Sequence, residues 1–533
     1  MAAAAPFDLK QHRKRAERAW GEKNIWQGLY DQAYEYAIPY RQPTRRRGQA
    51  VNRIDNLFDD TAITSTFHGA GTLKEDLFPS GQGWFKYEPG PVAKLAAKMD
   101  AENGAKFAAD IEAVSDQIVP FFQTGEFDQA ANEACIDLYA GTGAILPLDG
   151  DDENPVDFVA IPTEELATEW AKNKLLAGYW RTEETRRSIK FQFPKGKFPE
   201  EFERALAADG ADELVEINQD FVRVGKRWKL IVTLKESTEP VVTETYRTQP
   251  IVIARYHKVP GENWGRGPIM LTLPAIKTSN KAQELVLKAF AIQMLGIWGY
   301  RPGGAFNPDT ARLAPGAMWP MNSTGGVMGP DVQRLDPATG RVDMGQLVTQ
   351  NLTDRIRTGL HDDRVESKGK TPVSASEFVG SLQRMKDNYI GAFGRLVHEI
   401  IPPLVRRVSE ILYRKGLLQT DLKPDQLFVQ VRILSPLADA MRISHLDPFL
   451  KFLQLLEALG QDPNRFIDLD QAIDDLMTEL NIRSKWRRTA QQRAEIDQAN
   501  AQKQAGAAVT EALVRKPEIV ADAMKPQATE AAA

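Results

Sequence analysis

The segment around Gly369 comes closer than any other to a nucleotide-binding loop. Gly369, Lys370 and Thr371 match the last three positions of the phosphate-loop motif G-x-x-x-x-G-K-[ST]. The first glycine of that motif would stand at position 364, which is Arg364, and Pro372 follows the match directly. No strand is predicted before it, so the backbone N–H groups that would cradle a phosphate lack a rigid support. The sequence therefore argues against ATP hydrolysis by this chain.

The sequence gives no stronger evidence for metal or redox chemistry. His398 and Glu399 begin like the zinc-protease motif H-E-x-x-H, but Pro402 stands where the second histidine belongs. The acidic run 149–153 lies between turn residues, whereas two-metal sites usually gather carboxylates from separate elements, so we expect a solvated loop. Cys135 is the only cysteine, which excludes a disulfide within one chain and fits a reducing compartment. We predict no catalytic residue, no metal and no cofactor.

The composition is that of a folded protein with several structural units. The 533 residues are 42% hydrophobic and 26% charged, and this length suggests roughly three or four units. The formal net charge of −5 argues against a chain whose main task is to grip nucleic acid, but it allows a protein that surrounds DNA. No signal peptide is recognisable, and the best membrane candidate, Ala289–Tyr300, is far shorter than the roughly 20 residues that spanning requires. We expect no membrane association.

Hydrophobic periodicity predicts helices at the start of the chain and strands after residue 156. Near the N terminus, six apolar residues recur on one helical face before Pro39: Trp20, Ile25, Trp26, Leu29, Tyr30 and Ala33. A second amphipathic helix is predicted at Asp60–Leu77. The predicted strands are Val156–Ile161, Lys226–Lys235, Val241–Arg247 and Ile251–Lys258. The patterns in the first half of the chain therefore predict a domain of mixed helices and strands (α+β).

Two predicted helices flank a compact insertion in the second half. The helices are Thr278–Trp298 and Gln346–Leu360, and Gly359 weakens the end of the second. The segment between them, Pro302–Arg341, is rich in glycine and proline, which indicates short strands and turns. This order predicts a stalk of two helices that carries a small head.

A long helix is predicted beyond a polar loop. The loop, His361–Val373, is charged and lacks periodicity, and the capping box S-x-x-E at Ser374–Glu377 then starts the helix. The helix is predicted to bend or break at Pro402 and Pro403 and to end near Gly416. The last quarter is predicted to be helical again. The fold class is α+β, mainly α.

The turn between residues 260 and 269 is more constrained in composition than an ordinary loop. Its glycines permit positive φ angles, its tryptophan needs a packing partner, and its glutamate and arginine can pair with each other or with a neighbour. We assign to this structural corner Gly261, Glu262, Trp264, Gly265, Arg266, Gly267 and Pro268. Taken alone, these residues predict a rigid turn between a strand and a helix.

The region around the corner is similar to a known family. Arg255–Asn280 resembles the sequence before the first stem helix in portal proteins, the head-to-tail connectors of short-tailed (podovirus-type) double-stranded DNA bacteriophages. Further segments resemble the same family, namely Arg18–Arg41, Phe58–Tyr87, Thr371–Phe378 and Pro403–Gly416. In order and spacing, the resemblance covers the chain to about residue 500.

The resemblance implies a portal fold with wing, stem, clip and crown, assembled as a cyclic ring. The implied parts are a wing at 1–277, stem helix 1 at 278–301, the clip at 302–345, stem helix 2 at 346–360, a tunnel loop at 361–373, the long wing helix with return strands at 374–435, the crown at 436–504 and a mobile C-terminal tail at 505–533.

The same resemblance implies a function. The chain would form a dodecameric ring at one capsid vertex, the channel for viral genome packaging and ejection, after assembly in the bacterial host cytoplasm. The implied partners are the major capsid protein, the large terminase, a tail adaptor protein, and scaffold or internal core proteins. Double-stranded DNA would pass through without being read. No cofactor and no membrane are implied.

The tunnel loop supplies the candidate DNA contacts, which are Arg364, Lys368 and Lys370. Three acidic residues of the same loop offset their charge: Asp362, Asp363 and Glu366. Cyclic symmetry would multiply each side chain about twelvefold, so a wholly basic channel would hold DNA rather than pass it. We hypothesise that the loop touches phosphates without reading bases. The alternative is an ordinary exposed loop with balanced charges.

Other classes of protein remain open at this point. The chain is alternatively another virion component, such as a scaffold, a tail-tube protein or an internal core protein. A packaging enzyme is a further alternative, and the incomplete phosphate loop and the scattered metal ligands disfavour it.

Overall fold

The computed structural model describes the chain in ranges separated by gaps. The described residues are 8–41, 56–80, 83–99, 101–235, 237, 239–295, 297–300, 332–335, 342–362, 375–418, 428–434 and scattered positions between 449 and 503. The chain divides into two compact units. The first comprises Met1–Tyr87 with Val114–Asp439, and the second comprises Glu88–Ala113 with Ala440–Ala533.

The described residues form helices α1 to α10 and strands β1 to β14. The helices are α1 Leu9–Ala37, α2 Thr61–Leu77, α3 Pro91–Met99, α4 Ala101–Ile118, α5 Gly125–Ala140, α6 Arg186–Gln192, α7 Glu200–Ala207, α8 Pro268–Leu295, α9 Val342–Gly359 and α10 Ala375–Arg414. The strands are β1 Phe85–Pro89, β2 Thr142–Asp149, β3 Val156–Ile161, β4 Leu166–Ala171, β5 Lys174–Thr185, β6 Leu214–Val224, β7 Arg227–Leu234, β8 Val242–Tyr246, β9 Val252–Arg255, β10 His257–Lys258, β11 Gly265–Arg266, β12 Ile297–Tyr300, β13 Val332–Leu335 and β14 Val429–Ile433.

Two antiparallel sheets form the centre of the first unit. The five-stranded sheet has the order β4-β5-β6-β7-β8, so neighbours in the chain are neighbours in the sheet. In the three-stranded sheet, β2 lies between β3 and β9. One apolar core contains buried side chains of both sheets, among them Leu146, Leu166, Phe221, Trp228 and Ile253. The α+β class predicted from the sequence is therefore confirmed.

Helix α1 packs against β4 and α8. Its predicted apolar face is right at Tyr30 and Ala33, which are buried, but wrong at Ile25, which is 78% exposed. Lys23 is buried instead. Which face of α1 is buried depends on the elements that pack around the helix. The periodicity of the segment does not reveal those elements.

Several predicted elements of the first half are confirmed, and others were missed. Helix α2 and strand β3 lie where the patterns placed them. The predicted strand Ile251–Lys258 divides at Tyr256 into β9 and β10. Strands β5 and β6 were not predicted, although they pair over nine residue positions. Both carry charged residues within the strand, such as Arg181 and Glu183 in β5 and Glu216 and Asp220 in β6, which hides the usual strand composition.

The paired helices differ from their predicted bounds. Helix α8 starts at Pro268, before the predicted Thr278, and includes Pro274. It ends at Leu295, so the prediction that Trp298 is helical is wrong. Trp298 lies in β12, which pairs with β13 just before α9. The predicted boundaries at 277/278 and 345/346 thus fall inside α8 and α9. The earlier start of α8 has a local reason, because a proline at the first helical position favours helix formation.

Helix α10 runs from Ala375 to Arg414 through both prolines, so it does not break at Pro402 and Pro403. A bend there, the other predicted outcome, stays a prediction. The buried side chains of α10 beyond Gly394 compensate for the hydrogen bonds that the prolines cannot make. The predicted end near Gly416 is confirmed: Gly416 has φ +76°, and the N–H of Leu417 donates to the carbonyl of Leu412 at 3.0 Å.

The second unit contains α3, part of α4 and helical positions of the predicted crown. Residues 451–456 are helical, and Gly460, predicted to end this helix, has φ +64°. The side chains of Phe452, Leu455 and Leu459 are exposed here. Much of 436–504 and all of the predicted tail at 505–533 lie outside the described residues.

Candidate functional site at the corner before the paired helices

The corner is a short hairpin that leads directly into α8. Strands β10 and β11 are antiparallel, with His257 opposite Arg266. Gly261 forms the turn with φ +85°, a conformation that only glycine adopts without strain. Pro268 then occupies the start of α8, where its missing N–H costs no helical hydrogen bond. The predicted turn between a strand and a helix is confirmed.

The other two glycines of the corner, Gly265 and Gly267, allow the backbone of neighbouring elements to approach closely. A Cβ on Gly265 would overlap the carbonyl oxygen of Gly141, and a Cβ on Gly267 would overlap that of Tyr139. Only Gly261 of the three has a positive φ. The three glycines were expected to permit positive φ angles, and only Gly261 uses that freedom. At Gly265 and Gly267 the backbone of another element leaves no room for a Cβ. A local sequence pattern does not reveal such a contact.

Hydrogen bonds fix the corner to three elements. The hydroxyl of Tyr30, on α1, donates to the carbonyl of Gly265 at 2.9 Å. The N–H of Gly265 donates to the hydroxyl of Thr142, on β2, at 3.1 Å. The N–H of Gly267 donates to the carbonyl of Ala140, at the end of α5, at 3.2 Å. These bonds satisfy buried polar groups and hold the start of α8 in one orientation.

The side chains of the corner have the partners that their types predicted. Trp264 is 3% exposed, and its ring lies edge-on to that of Tyr30 at 6.2 Å. Glu262 and Arg266 form an ion pair at 2.8 Å. The Arg266 guanidinium also lies 4.8 Å from the ring centroid of Trp26. The pairing predicted for these residues is confirmed, and its role is to stiffen the turn.

A buried lysine lies beneath the corner and escaped prediction. The Lys23 ammonium donates to the carbonyls of Thr163 and Glu164 at 2.7 and 2.5 Å, and it lies 5.5 Å from the ring centroid of Trp264. Burial lowers the pKa of Lys23 to about 7, although nearby carboxylates oppose the shift. The available signal was its spacing, four residues after the buried Ala19 on the covered face of α1.

Four further charged or polar groups complete this buried cluster. Asp137 accepts a hydrogen bond from the Tyr34 hydroxyl at 2.9 Å and forms an ion pair with Arg41. Burial raises the pKa of Asp137, and the Arg41 charge opposes the rise. Burial and the charge of Asp137 raise the pKa of Glu164 to about 7. The contacts join α1 to α5 and to the turn 163–165, so the cluster supports the corner.

A second set of contacts holds α8 against the segment before α2. The Asn280 side-chain oxygen accepts hydrogen bonds from the N–H groups of Phe58 and Asp59 at 2.7 and 3.2 Å. The Ser279 hydroxyl donates to the Asp59 carboxylate. These residues were not predicted as functional, because their partners lie more than 200 positions away in the chain.

The predicted tunnel loop begins at a fixed point. His361 follows α9 with φ +56°, and the N–H of Asp362 donates to the carbonyl of Arg357 at 2.9 Å, as in a helix end normally built on glycine. The buried Asp362 carboxylate accepts a hydrogen bond from the Ser65 hydroxyl, on α2, at 2.7 Å. Burial lowers the pKa of His361 to about 4, and the charge of His257 adds to this effect.

The residues proposed from sequence to touch DNA cannot be placed on this frame. Arg364, Lys368 and Lys370 lie outside the described residues, as does the incomplete phosphate loop that includes Lys370. The hypothesis of phosphate contacts therefore remains a prediction. The structure describes only the start of the loop, where His361 and Asp362 are fixed at the end of α9.

The motifs weighed for metal chemistry have structural partners. Glu399 forms an ion pair with the buried Arg255 at 3.0 Å, which ties α10 to β9. Asp149 pairs with Arg414, and the Asp151 carboxylate accepts a hydrogen bond from a backbone N–H of its own turn. Within the part of the chain that the structure describes, no three His, Cys, Asp or Glu side chains are grouped as a metal site requires.

None of the described helices combines the length and the apolar character needed to cross a membrane.

The whole chain was then compared with known proteins. Residues 9–486 match the family described as bacteriophage head to tail connecting protein. The chain therefore belongs to the head-to-tail connector family, as the resemblance in its sequence predicted. This is a family of structural proteins rather than of enzymes. No curated protein sequence matches the chain.

Three solved structures are similar to the chain at low identity. One is the neck of an empty GTA particle computed with C6 symmetry, with 12% identity over 77% of this chain and 93% of that chain, at a TM-score of 0.32. The virion of a native gene transfer agent particle has 13% identity over 82% and 96%, at 0.29. The neck of a native GTA particle computed with C12 symmetry has 14% identity over 72% and 97%, at 0.29. Similarity this low supports no functional argument.

Proposed function

We propose that this chain is the subunit of a phage portal that assembles as a closed ring of about twelve copies. The ring occupies one vertex of the capsid in the virion. Its channel admits double-stranded DNA during packaging and releases it during ejection. The observation that carries the proposal is the family match across residues 9–486. Ring assembly takes place in the cytoplasm of the bacterial host.

The described elements support an assignment of parts. Helices α8 and α9 contact each other, which suits a stem, and β12 pairs with β13 where the chain leaves and re-enters this helix pair. The clip, at 302–345, is thus an insertion closed at its base. The body before α8 is the wing, 361–373 is the tunnel loop, α10 crosses the wing, and 436–504 forms the crown.

Each part of the proposed ring has its own partner. The clip receives the large terminase during packaging and a tail adaptor protein afterwards. The crown faces scaffold or internal core proteins, and the major capsid protein surrounds the ring. A stem pair fixed at its base by the corner and by Asn280 supports this role, since docking partners load the far end of the helices.

DNA handling in the proposed ring depends on balanced charge. The subunit has a net charge of −5, so as a whole it does not attract phosphates. Arg364, Lys368 and Lys370 supply local positive charge at one level of the channel. We assign to them non-specific phosphate contacts, without base recognition. The energy for DNA movement comes from the docked motor.

The mass and symmetry of the assembled particle test the proposal. The purified full-length chain, at 59.5 kDa per copy, is expected to form uniform rings of about 0.7 MDa if about twelve copies assemble. Mass photometry gives the mass, and class averages from electron microscopy give the rotational symmetry and the central hole. Elongated helical particles, filaments, or a monomer at all concentrations would refute the portal and favour another virion component. DNA-stimulated ATP hydrolysis by the pure protein would also refute it.

A further inference from the structure

The buried guanidinium of Arg255 is only partly paired. Its side chain is 0% exposed, and its Nη2 donates to the Glu399 carboxylate at 3.0 Å. One face of the guanidinium lies on the ring of Trp170, 3.6 Å from the ring centroid. Among the described residues, none accepts a hydrogen bond from Nε or Nη1, which together carry three N–H hydrogens. Buried N–H groups are normally paired, so this edge of Arg255 is suited to a ligand.

Two further basic side chains lie close to Arg255. Arg395 stands one turn before Glu399 on α10, so both side chains share one side of that helix. Glu399 bonds both the side chain and the backbone N–H of Arg255, which brings this side of α10 to β9. Burial lowers the pKa of Arg255 and of His257, and the charge of Arg395 lowers both further. Arg255, His257 and Arg395 therefore form one basic cluster.

Positive charge outweighs negative charge around Arg255. The charged groups that act on its guanidinium are the Glu399 carboxylate and the Arg395 guanidinium, so one carboxylate faces two positive charges. A surplus of buried charge is unfavourable unless an ion of opposite sign compensates it. His257 and Arg395 are half-buried, so the basic cluster is in contact with solvent, from which an anion can enter.

We propose that Arg255, His257 and Arg395 form a binding site for a phosphate group. A guanidinium pairs with oxyanions through parallel N–H donors of fixed geometry. The three side chains come from β9, β10 and α10, so their donors reach a ligand from different directions. A phosphate group presents three oxygens or more to such donors, whereas a carboxylate presents two.

A bound phosphate would join three parts of the first unit. Arg255 lies against the corner, since a Cβ on Gly265 would stand 3.0 Å from the Cβ of Arg255. Glu399 ties Arg255 to α10. His257 lies close enough to His361, at the start of the tunnel loop, for its charge to act there. A ligand that binds only the folded chain adds to its stability, so we expect phosphate to stabilise this chain against unfolding.

Thermal unfolding of the full-length chain tests the site with inorganic phosphate as the probe. The comparison is sodium phosphate against sodium chloride at equal ionic strength. We expect a saturable rise of Tm with phosphate concentration, and an apparent affinity about tenfold weaker in Arg395→Gln, because a hydrogen bond to a charged group is lost. Arg227→Gln is the matched control: Arg227 is an exposed arginine of β7, outside the basic cluster, and its variant should keep the affinity.

A second measurement identifies the source of the phosphate group, which is either free in solution or part of a DNA backbone. Fluorescence anisotropy gives the binding of a labelled DNA duplex to the same three proteins. Duplex binding that is about tenfold weaker in Arg395→Gln alone would identify the DNA backbone. Unchanged duplex binding, together with the saturable effect of inorganic phosphate, would identify free phosphate.

Equal behaviour of Arg395→Gln and Arg227→Gln in both measurements would overturn the site, because phosphate also stabilises proteins without binding a particular site. Thermal unfolding in phosphate needs no ring. Its failure would therefore leave the proposed portal function standing, and a chain that forms no rings could still bind phosphate at the basic cluster.

Discussion

Gly359 lies against the side chain of Thr272. A Cβ on Gly359 would overlap the Thr272 methyl carbon, so any larger residue there would require the Thr272 side chain or α9 to shift. The sequence suggested that this glycine weakens the end of the second helix. In the structure it permits the close contact of the two helices that we propose as the stem.

The replacement Gly359→Ala tests this contact. It is expected to lower the free energy of unfolding by about 1–3 kcal/mol, because overpacking forces the helices apart. The measurement is denaturant unfolding of the purified chain. Gly21→Ala is the matched control: Gly21 is also inside a helix, but a Cβ there would meet nothing within 4 Å. The control should be neutral or stabilising by up to about 1 kcal/mol. Equal destabilisation by both variants would contradict the prediction.

The corner gives a second prediction. Gly267→Ala would place a methyl group on the carbonyl of Tyr139, so α8 must shift at its first turn. We expect a loss of stability of about 1–3 kcal/mol and a reduced yield of rings. Analytical ultracentrifugation measures the second effect. Gly225→Ala is the comparison, since its positive φ of 63° causes strain without any clash. Normal rings from the Gly267 variant would show that the corner does not orient the stem.

The buried cluster under the corner predicts a pH dependence. Glu164 has a folded pKa of about 7 against its ordinary 4.5, so the unfolded chain releases this proton first as the pH rises. Its contribution to stability is present below pH 4.5 and is lost between pH 4.5 and 7. Glu164→Gln should remove a slope of up to about 1.4 kcal/mol per pH unit in this window. Denaturant unfolding at several pH values measures it.

Lys23 provides the control for that experiment, because its effect falls in another window. Its folded pKa of about 7 lies below the ordinary 10.5, so stability from this group rises with pH between 7 and 10.5. Lys23→Met should flatten the curve there and leave the acidic slope in place. An acidic slope that persists in Glu164→Gln would assign the titration to another group.

The anchor of the tunnel loop predicts acid sensitivity. The folded pKa of His361 is about 4 against an ordinary 6.5, so its contribution to stability is present above pH 6.5 and is lost as the pH falls toward 4. His361→Asn keeps a residue that tolerates the left-handed conformation and removes the titration. We expect this variant to lose less stability than the unmodified chain between pH 6.5 and 4. Identical pH profiles would exclude His361 as the source.

The proposed DNA contacts predict a defect in packaging. Replacing Arg364, Lys368 and Lys370 by alanine should impair genome packaging or retention while rings form normally, because phosphate neutralisation is lost at one level of the channel. Packaged DNA per particle and DNA retained after purification are the measurements. The double variant Asp363→Ala/Glu366→Ala, which removes negative charge from the same loop, is the control. Normal packaging and retention in the basic-residue variant would refute the contacts.

The sequence by itself determined the elements whose signals are local. The helix periodicity at Thr61–Leu77 and the left-handed glycine at Gly416 act through neighbouring residues, so both were predicted correctly. The corner residues were also recognised, because glycine, proline and a paired glutamate and arginine have local conformational meaning.

Other features depend on contacts between residues far apart in the chain, so only the tertiary structure decided them. Gly267 is glycine because of the backbone at Tyr139, and Lys23 is buried because the turn 163–165 and Trp264 of the corner lie against that side of α1. Helix α10 continues through Pro402 because its neighbours are packed and buried. In each case the free energy comes from contacts between residues far apart in the chain. Local periodicity carries no information about such contacts.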